Sequence, residues 1–134
     1  MQPLALQLGL GALLAYCLAA FARGIGCERL VFAVGLAIAA GVYVVAALAA
    51  GGGEGLLVEI MGLVLFGIVA FLGFRYRPDF LAYGWAAHVL WDVLLHTGAR
   101  SPIVPAWYAM LCVGLDLLLG GYILGRLTDG ERAL

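Results

Sequence analysis

His88, Asp92 and His96 recur every four residues between Gly84 and His96. On a helix this spacing lines three side chains along one face, each about 6 Å further along the axis. Two imidazoles and a carboxylate are donors that suit zinc, iron or a similar divalent metal. Neighbours four apart can share one ion, whereas His88 and His96 lie roughly 12 Å apart along the axis and cannot. A metal at this stripe would therefore take Asp92 with one histidine and recruit its other ligands elsewhere. Glu59 and Asp116 are the other acids set within long apolar runs, and both join His88, Asp92 and His96 as candidate ligands. Tyr108, Cys112 and Asp116 also recur every four residues and form a second polar stripe. Cys112 by itself reads as a small packing residue.

The elements that carry these residues are set by composition. Of 134 residues, 66% are hydrophobic and 11% charged, against roughly 45–50% and about 25% in soluble domains. Such a chain cannot clothe a water-soluble surface. The net charge of −1 leaves no basic face for phosphates, which excludes a nucleic-acid binder. Three cysteines, Cys17, Cys27 and Cys112, form no metal-ligand pair, and an odd number argues against a disulfide framework.

A bilayer crossing takes about 20 apolar residues. Five such stretches fit: Pro3 to Ala22, Leu30 to Ala50, Gly55 to Phe74, Asp79 to Thr97 and Val104 to Gly125. The predicted fold is all-α, one transmembrane domain over residues 1–134 with five helices in a single bundle. Glycine-rich and arginine-bearing breaks separate the spans, and Pro78 and Pro105 open the fourth and fifth, where a missing N–H costs little. Arg23, Arg29, Arg75, Arg77, Arg126 and Arg132 fall on one side and Arg100 on the other. The positive-inside rule then places the N-terminus outside and the C-terminus in the cytoplasm. No basic residue precedes the first span, which argues against a cleaved signal peptide. Arginine without lysine, with abundant Ala, Gly and Leu, fits a GC-rich bacterium and hence its inner (cytoplasmic) membrane.

Depth along the spans groups the polar residues. From the outer boundary, Glu59 lies about 6 Å deep, Asp92 about 9 Å, His96 about 3 Å, His88 about 15 Å and Asp116 about 19 Å. This predicts an outer tier of Glu59, Asp92 and His96 and an inner tier of His88 and Asp116. No arginine lies within the spans, so these carboxylates must be protonated, paired with His⁺ or neutralised by a cation. A structural hydrogen-bond network competes with that reading. Gln7 and Tyr43 read as interhelical glue, and Trp85, near the bilayer centre, needs a partner for its indole N–H. Ala15 with Ala19, Ala37 with Gly41, and Gly121 with Gly125 have the four-residue spacing that lets backbones approach in lipid. The last pair reads first as packing within the bundle and second as a homo-oligomer contact.

His88-Val-Leu-Trp91-Asp92-Val-Leu-Leu-His96, followed by Val104-Pro105-Ala-Trp107-Tyr108 and Cys112-Val-Gly114-Leu-Asp116, resembles a family of small bacterial multi-span membrane proteins of unknown function. The resemblance covers spans four and five and implies that these positions form one signature. The helix-borne Asp and His residues are also distantly similar to membrane-embedded zinc hydrolases that act on ceramides. Those have seven spans and further His motifs that this chain lacks.

Three functions follow as expectations. The first is a divalent-metal-dependent hydrolase acting on a lipid or other amphiphile, with Asp92, His96 and Glu59 as catalytic residues. The second is a proton- or cation-coupled small transporter using the same groups as a relay. The third is a structural subunit of a membrane complex.

Overall fold

The computed structural model describes residues 2–96 and 106–128, with side chains over 5–95 and 107–128. It is all-α: α1 spans Gln2–Ile25, α2 Glu28–Ala49, α3 Glu54–Arg75, α4 Asp79–His96 and α5 Ala106–Thr128. Long runs of Leu, Ala, Val and Ile sustain each helix, and the turns between them are chemically marked. Gly26 takes φ +72°, and Gly51, Gly52 and Gly53 take +107°, +80° and +82°. In that region a side chain is strained, so glycine turns the chain sharply there. α1, α2, α3 and α5 are each long and apolar enough to cross a membrane. α4 has 18 residues and is the helix that carries Asp79, His88, Asp92 and His96. The same residues that make it chemically interesting lower its hydropathy.

α4 packs against α2, α3 and α5, while α1 lies mainly on α5. Helix directions can be read from the contacts. Along α1 and α5, Gly11 meets Leu111, and further along both helices Arg23 and Arg126 both reach Glu28, so the two helices run parallel. α2 and α4 also run parallel: Trp85 donates to the Phe32 carbonyl at 3.2 Å, and further along Tyr43 donates to Asp92. That carbonyl is the partner expected for the Trp85 indole. Phe32, Leu36, Leu81, Trp85, Leu119 and Ile123 form a fully buried apolar core.

Glycine sets how closely the helices meet. A Cβ on Gly11 would overlap the Leu111 carbonyl, and one on Gly114 the Leu8 carbonyl. These two glycines, on different helices, let α1 and α5 touch backbone to backbone. Ala15 and Ala19 are buried and continue the contact. Gly121 and Gly125 behave otherwise: a Cβ on either meets nothing within 4 Å. The expected packing role within the bundle is therefore not theirs. The reason is geometric, since the close approach is already made at the opposite end of α1 and α5.

The outer surface is apolar. Leu13, Val45, Leu57, Met61, Leu94 and Leu117 all stand more than half exposed. Five arginines (Arg23, Arg29, Arg75, Arg77, Arg126) gather at one end of the bundle, at the close of α1, α3 and α5 and the start of α2 and α4. Arg100 and Arg132 lie outside the described residues. Glu28, which falls between the expected first and second spans, is buried there. It accepts from Arg126 at 2.6 Å and Tyr122 at 2.7 Å, with Arg23 at 3.9 Å. This pairing draws α2 back to Glu28 and carries α5 on to Thr128, beyond the expected limits of Leu30 and Gly125.

Candidate functional site

Period and register bring three ionisable side chains to one point. His88 and Asp92 stand one turn apart on α4, and Asp116 faces them from antiparallel α5. His88 Nδ1 is hydrogen-bonded with Asp116 Oδ2 at 2.8 Å and lies 3.5 Å from Asp92 Oδ1. All three residues have 0% exposure. One ligand atom from each lies within 4.8 Å of the other two. Tyr43, from α2, donates its hydroxyl to Asp92 Oδ1 at 2.6 Å. Its ring stacks on the imidazole with centroids 5.9 Å apart, and Phe66 meets the same imidazole edge-on at 4.8 Å. Helices α2, α3, α4 and α5 thus all contribute to the enclosure.

The satisfied contacts leave a pattern of unsatisfied ones. His88 Nε2, Asp92 Oδ2 and Asp116 Oδ1 are buried with no hydrogen-bond partner. Buried polar atoms normally find one, and each that does not costs about 1–3 kcal/mol. All three fall on the same trio of residues, which leaves lone pairs there for a further group. The donor set, one imidazole and two carboxylates from two helices, can hold a divalent metal.

The expected tiers are redrawn by this geometry. Asp92 belongs with His88 and Asp116, while Glu59 stands outside that trio and accepts from the Trp91 indole at 3.0 Å. Counting axial rise alone misses a directional effect. Side chains lean toward the N-terminus of their own helix. Asp92 therefore leans along α4 toward His88, and Asp116, on an antiparallel helix, leans the opposite way to meet them. Glu59, on α3, leans away from Asp92. A Cβ on Gly62 would overlap the Trp91 ring, so glycine there lets the indole sit close to α3 and reach Glu59. His96 ends α4, and its side chain lies outside the described residues, as does Pro105.

Sequence reasoning did not place Tyr43 at this site. The signal was available: counted through α2 from its arginine-rich end, Tyr43 comes within about 10 Å of the opposite boundary, level with Asp92. Tyr108 and Cys112 fit the expected stripe on α5. Tyr108 is half-buried edge-on to Tyr43 at 6.3 Å, and Cys112 is buried. Tyr43→Phe keeps the ring on His88 and removes the hydroxyl that donates to Asp92. We expect it to lower unfolding free energy by about 1–3 kcal/mol in denaturant titrations of detergent-solubilised protein. An unchanged midpoint would show that this hydrogen bond contributes nothing.

No curated protein and no solved structure matches the chain. A sequence profile matches residues 6–129, nearly all of α1 and the whole of the other four helices. On that coverage the chain belongs to the family it describes, a family of unknown function (DUF6010).

Proposed function

We propose that this chain is a five-span protein of the bacterial cytoplasmic membrane that binds a divalent metal ion at His88, Asp92 and Asp116 and carries it within the bundle. The observation that carries this reading is the convergence of three fully buried ligand groups from α4 and α5 within 4.8 Å. Around a tetrahedral ion with ligands at about 2.0–2.2 Å, ligand atoms sit about 3.4 Å from one another. Closing from 4.8 Å to that spacing needs less than about 1.5 Å of movement, within reach of side-chain rotation. Asp92 Oδ2 and Asp116 Oδ1 would supply acceptors that have no other partner. Two carboxylates beside a neutral imidazole carry a charge of about −2, which a dication neutralises. The donors suit zinc or iron(II) best among common metals.

The exposed side chains of the bundle are large and apolar, and those of α4 include Leu90, Val93, Leu94 and Leu95. The polar side of α4 is turned inward, so it can cross as the fifth span despite its lower hydropathy. Gathering five arginines at one end favours that end as cytoplasmic.

Burial favours one use of the ion over the other. A lipid hydrolase needs room at the metal for a headgroup and an attacking water. With 0% exposure on all three ligands, a site that holds and passes an ion fits better than one that cleaves an amphiphile. Liposomes carrying the protein and an internal fluorescent zinc chelator test this. Zinc uptake is expected with the wild type and not with Asp92→Asn. Equal uptake by both proteins would contradict the reading, and lipid breakdown without uptake would restore the hydrolase.

A further inference from the structure

Between α1 and α5, past the close contact at Gly11 and Gly114, lies an apolar groove of about 500 Å³. Ala15, Ala19, Leu118 and Gly121 line its wall, and Arg23 stands at its end. There a second cavity of about 270 Å³ begins, lined by Arg23, Gly26, Glu28 and Arg126. Arg23 belongs to both. The two cavities together have an amphiphile's shape: an apolar trough as far as Tyr122, then a polar chamber bearing two guanidinium groups and one carboxylate.

We propose that this composite groove binds one phospholipid with an anionic headgroup. Its acyl chain would lie in the trough over Gly121, and its phosphate in the chamber at Arg23. The proposal rests on the membrane reading and not on the metal site. Three observations carry it. The open space over Gly121 is real, since a Cβ there meets nothing within 4 Å. Arg23 is available: its side chain is 59% exposed and its tie to Glu28 is long, at 3.9 Å. Such an exposed, stretched pair holds its arginine weakly. Glu28, in contrast, is already engaged by Arg126 and Tyr122, so the chamber has one more positive than negative charge. Basic pockets between helices at the cytoplasmic side are where anionic headgroups bind. A neutral or zwitterionic lipid would use the trough but leave Arg23 without its counter-charge.

Native mass spectrometry of the detergent-purified protein, titrated with phosphatidylglycerol or phosphatidylcholine, tests the proposal. Zinc binding is measured on the same samples. One phosphatidylglycerol per chain is expected to be held in preference to phosphatidylcholine. Arg23→Gln should weaken phosphatidylglycerol about fivefold, the loss of one charge contact at a membrane surface. Gly121→Leu should abolish binding by filling the trough. Gly67→Leu is the control, because a Cβ on Gly67 also meets nothing within 4 Å and that residue lies on α3; it should bind as wild type. Equal retention of the two lipids, or binding by Gly121→Leu at wild-type strength, overturns the proposal. So does a lipid-free dimer that Gly121→Leu dissociates, which would assign the groove to a second copy of the chain. Zinc binding should be unchanged in all variants, so a failure there bears on the metal site alone.

Discussion

Asp116→Asn is expected to lower divalent-metal affinity by about a hundredfold or more while leaving the helices folded. The substitution keeps the shape of the side chain and one acceptor oxygen, but it removes a charge from a site with 0% exposure. Removing one member of a buried ionic set costs about 3–5 kcal/mol, which corresponds to two orders of magnitude or more in binding. Glu59→Gln is the contrasting variant. Glu59 stands outside the trio and accepts from Trp91, so metal affinity should stay within a few-fold of wild type. Calorimetric titration of chelator-stripped protein measures both. Equal losses in the two variants would return Glu59 to the site and restore the tiers expected from axial depth. The sign of the pH dependence follows from the ligands. Carboxylates and imidazole bind metal only after losing their protons, so affinity should fall as the medium is acidified.

Gly114→Val is expected to give the largest structural defect. A Cβ at this position already overlaps the Leu8 carbonyl, which is backbone and cannot rotate aside. α1 and α5 must separate, and overpacking of this kind costs about 1–3 kcal/mol, with backbone clashes at or above the upper end. Asp116 lies half a turn further along α5, so metal binding should weaken together with stability. Gly121→Ala is the control: its Cβ enters open space, and its unfolding midpoint should match wild type. A Gly114→Val protein as stable as Gly121→Ala would mean that α1 and α5 are not in backbone contact.

The sequence carried the helices well because long apolar runs leave few alternatives. Their ends shifted where a charged side chain found a partner that hydropathy cannot anticipate. Glu28 is the case in point, since its pairing with Arg126 joins positions 98 residues apart. The polar stripe was legible too, because a four-residue period fixes His88 and Asp92 on one face. Depth along the axis brought Asp116 to the level of His88 but set Asp92 apart. Rise per residue records where a Cα lies, not which way its side chain leans. Tyr43 stands level with Asp92 by the same count, but a single tyrosine among Val and Ala has no period that singles it out. The helix contact at Gly11 and Gly114 was invisible because its two glycines belong to different helices. Gly121 and Gly125 display a GxxxG motif, and the close approach is made elsewhere.

The most direct test of the account is X-ray absorption at the zinc edge of the zinc-loaded protein in detergent. One zinc per chain, coordinated by oxygen and nitrogen at about 2.0–2.2 Å with the scattering of a single imidazole, is the expected result. It would match His88 with Asp92 and Asp116. A sulfur scatterer at about 2.3 Å would instead bring Cys112 into the coordination shell, and two imidazoles would bring in His96. Either result, or a protein that holds no zinc, would contradict the assignment of the metal to His88, Asp92 and Asp116.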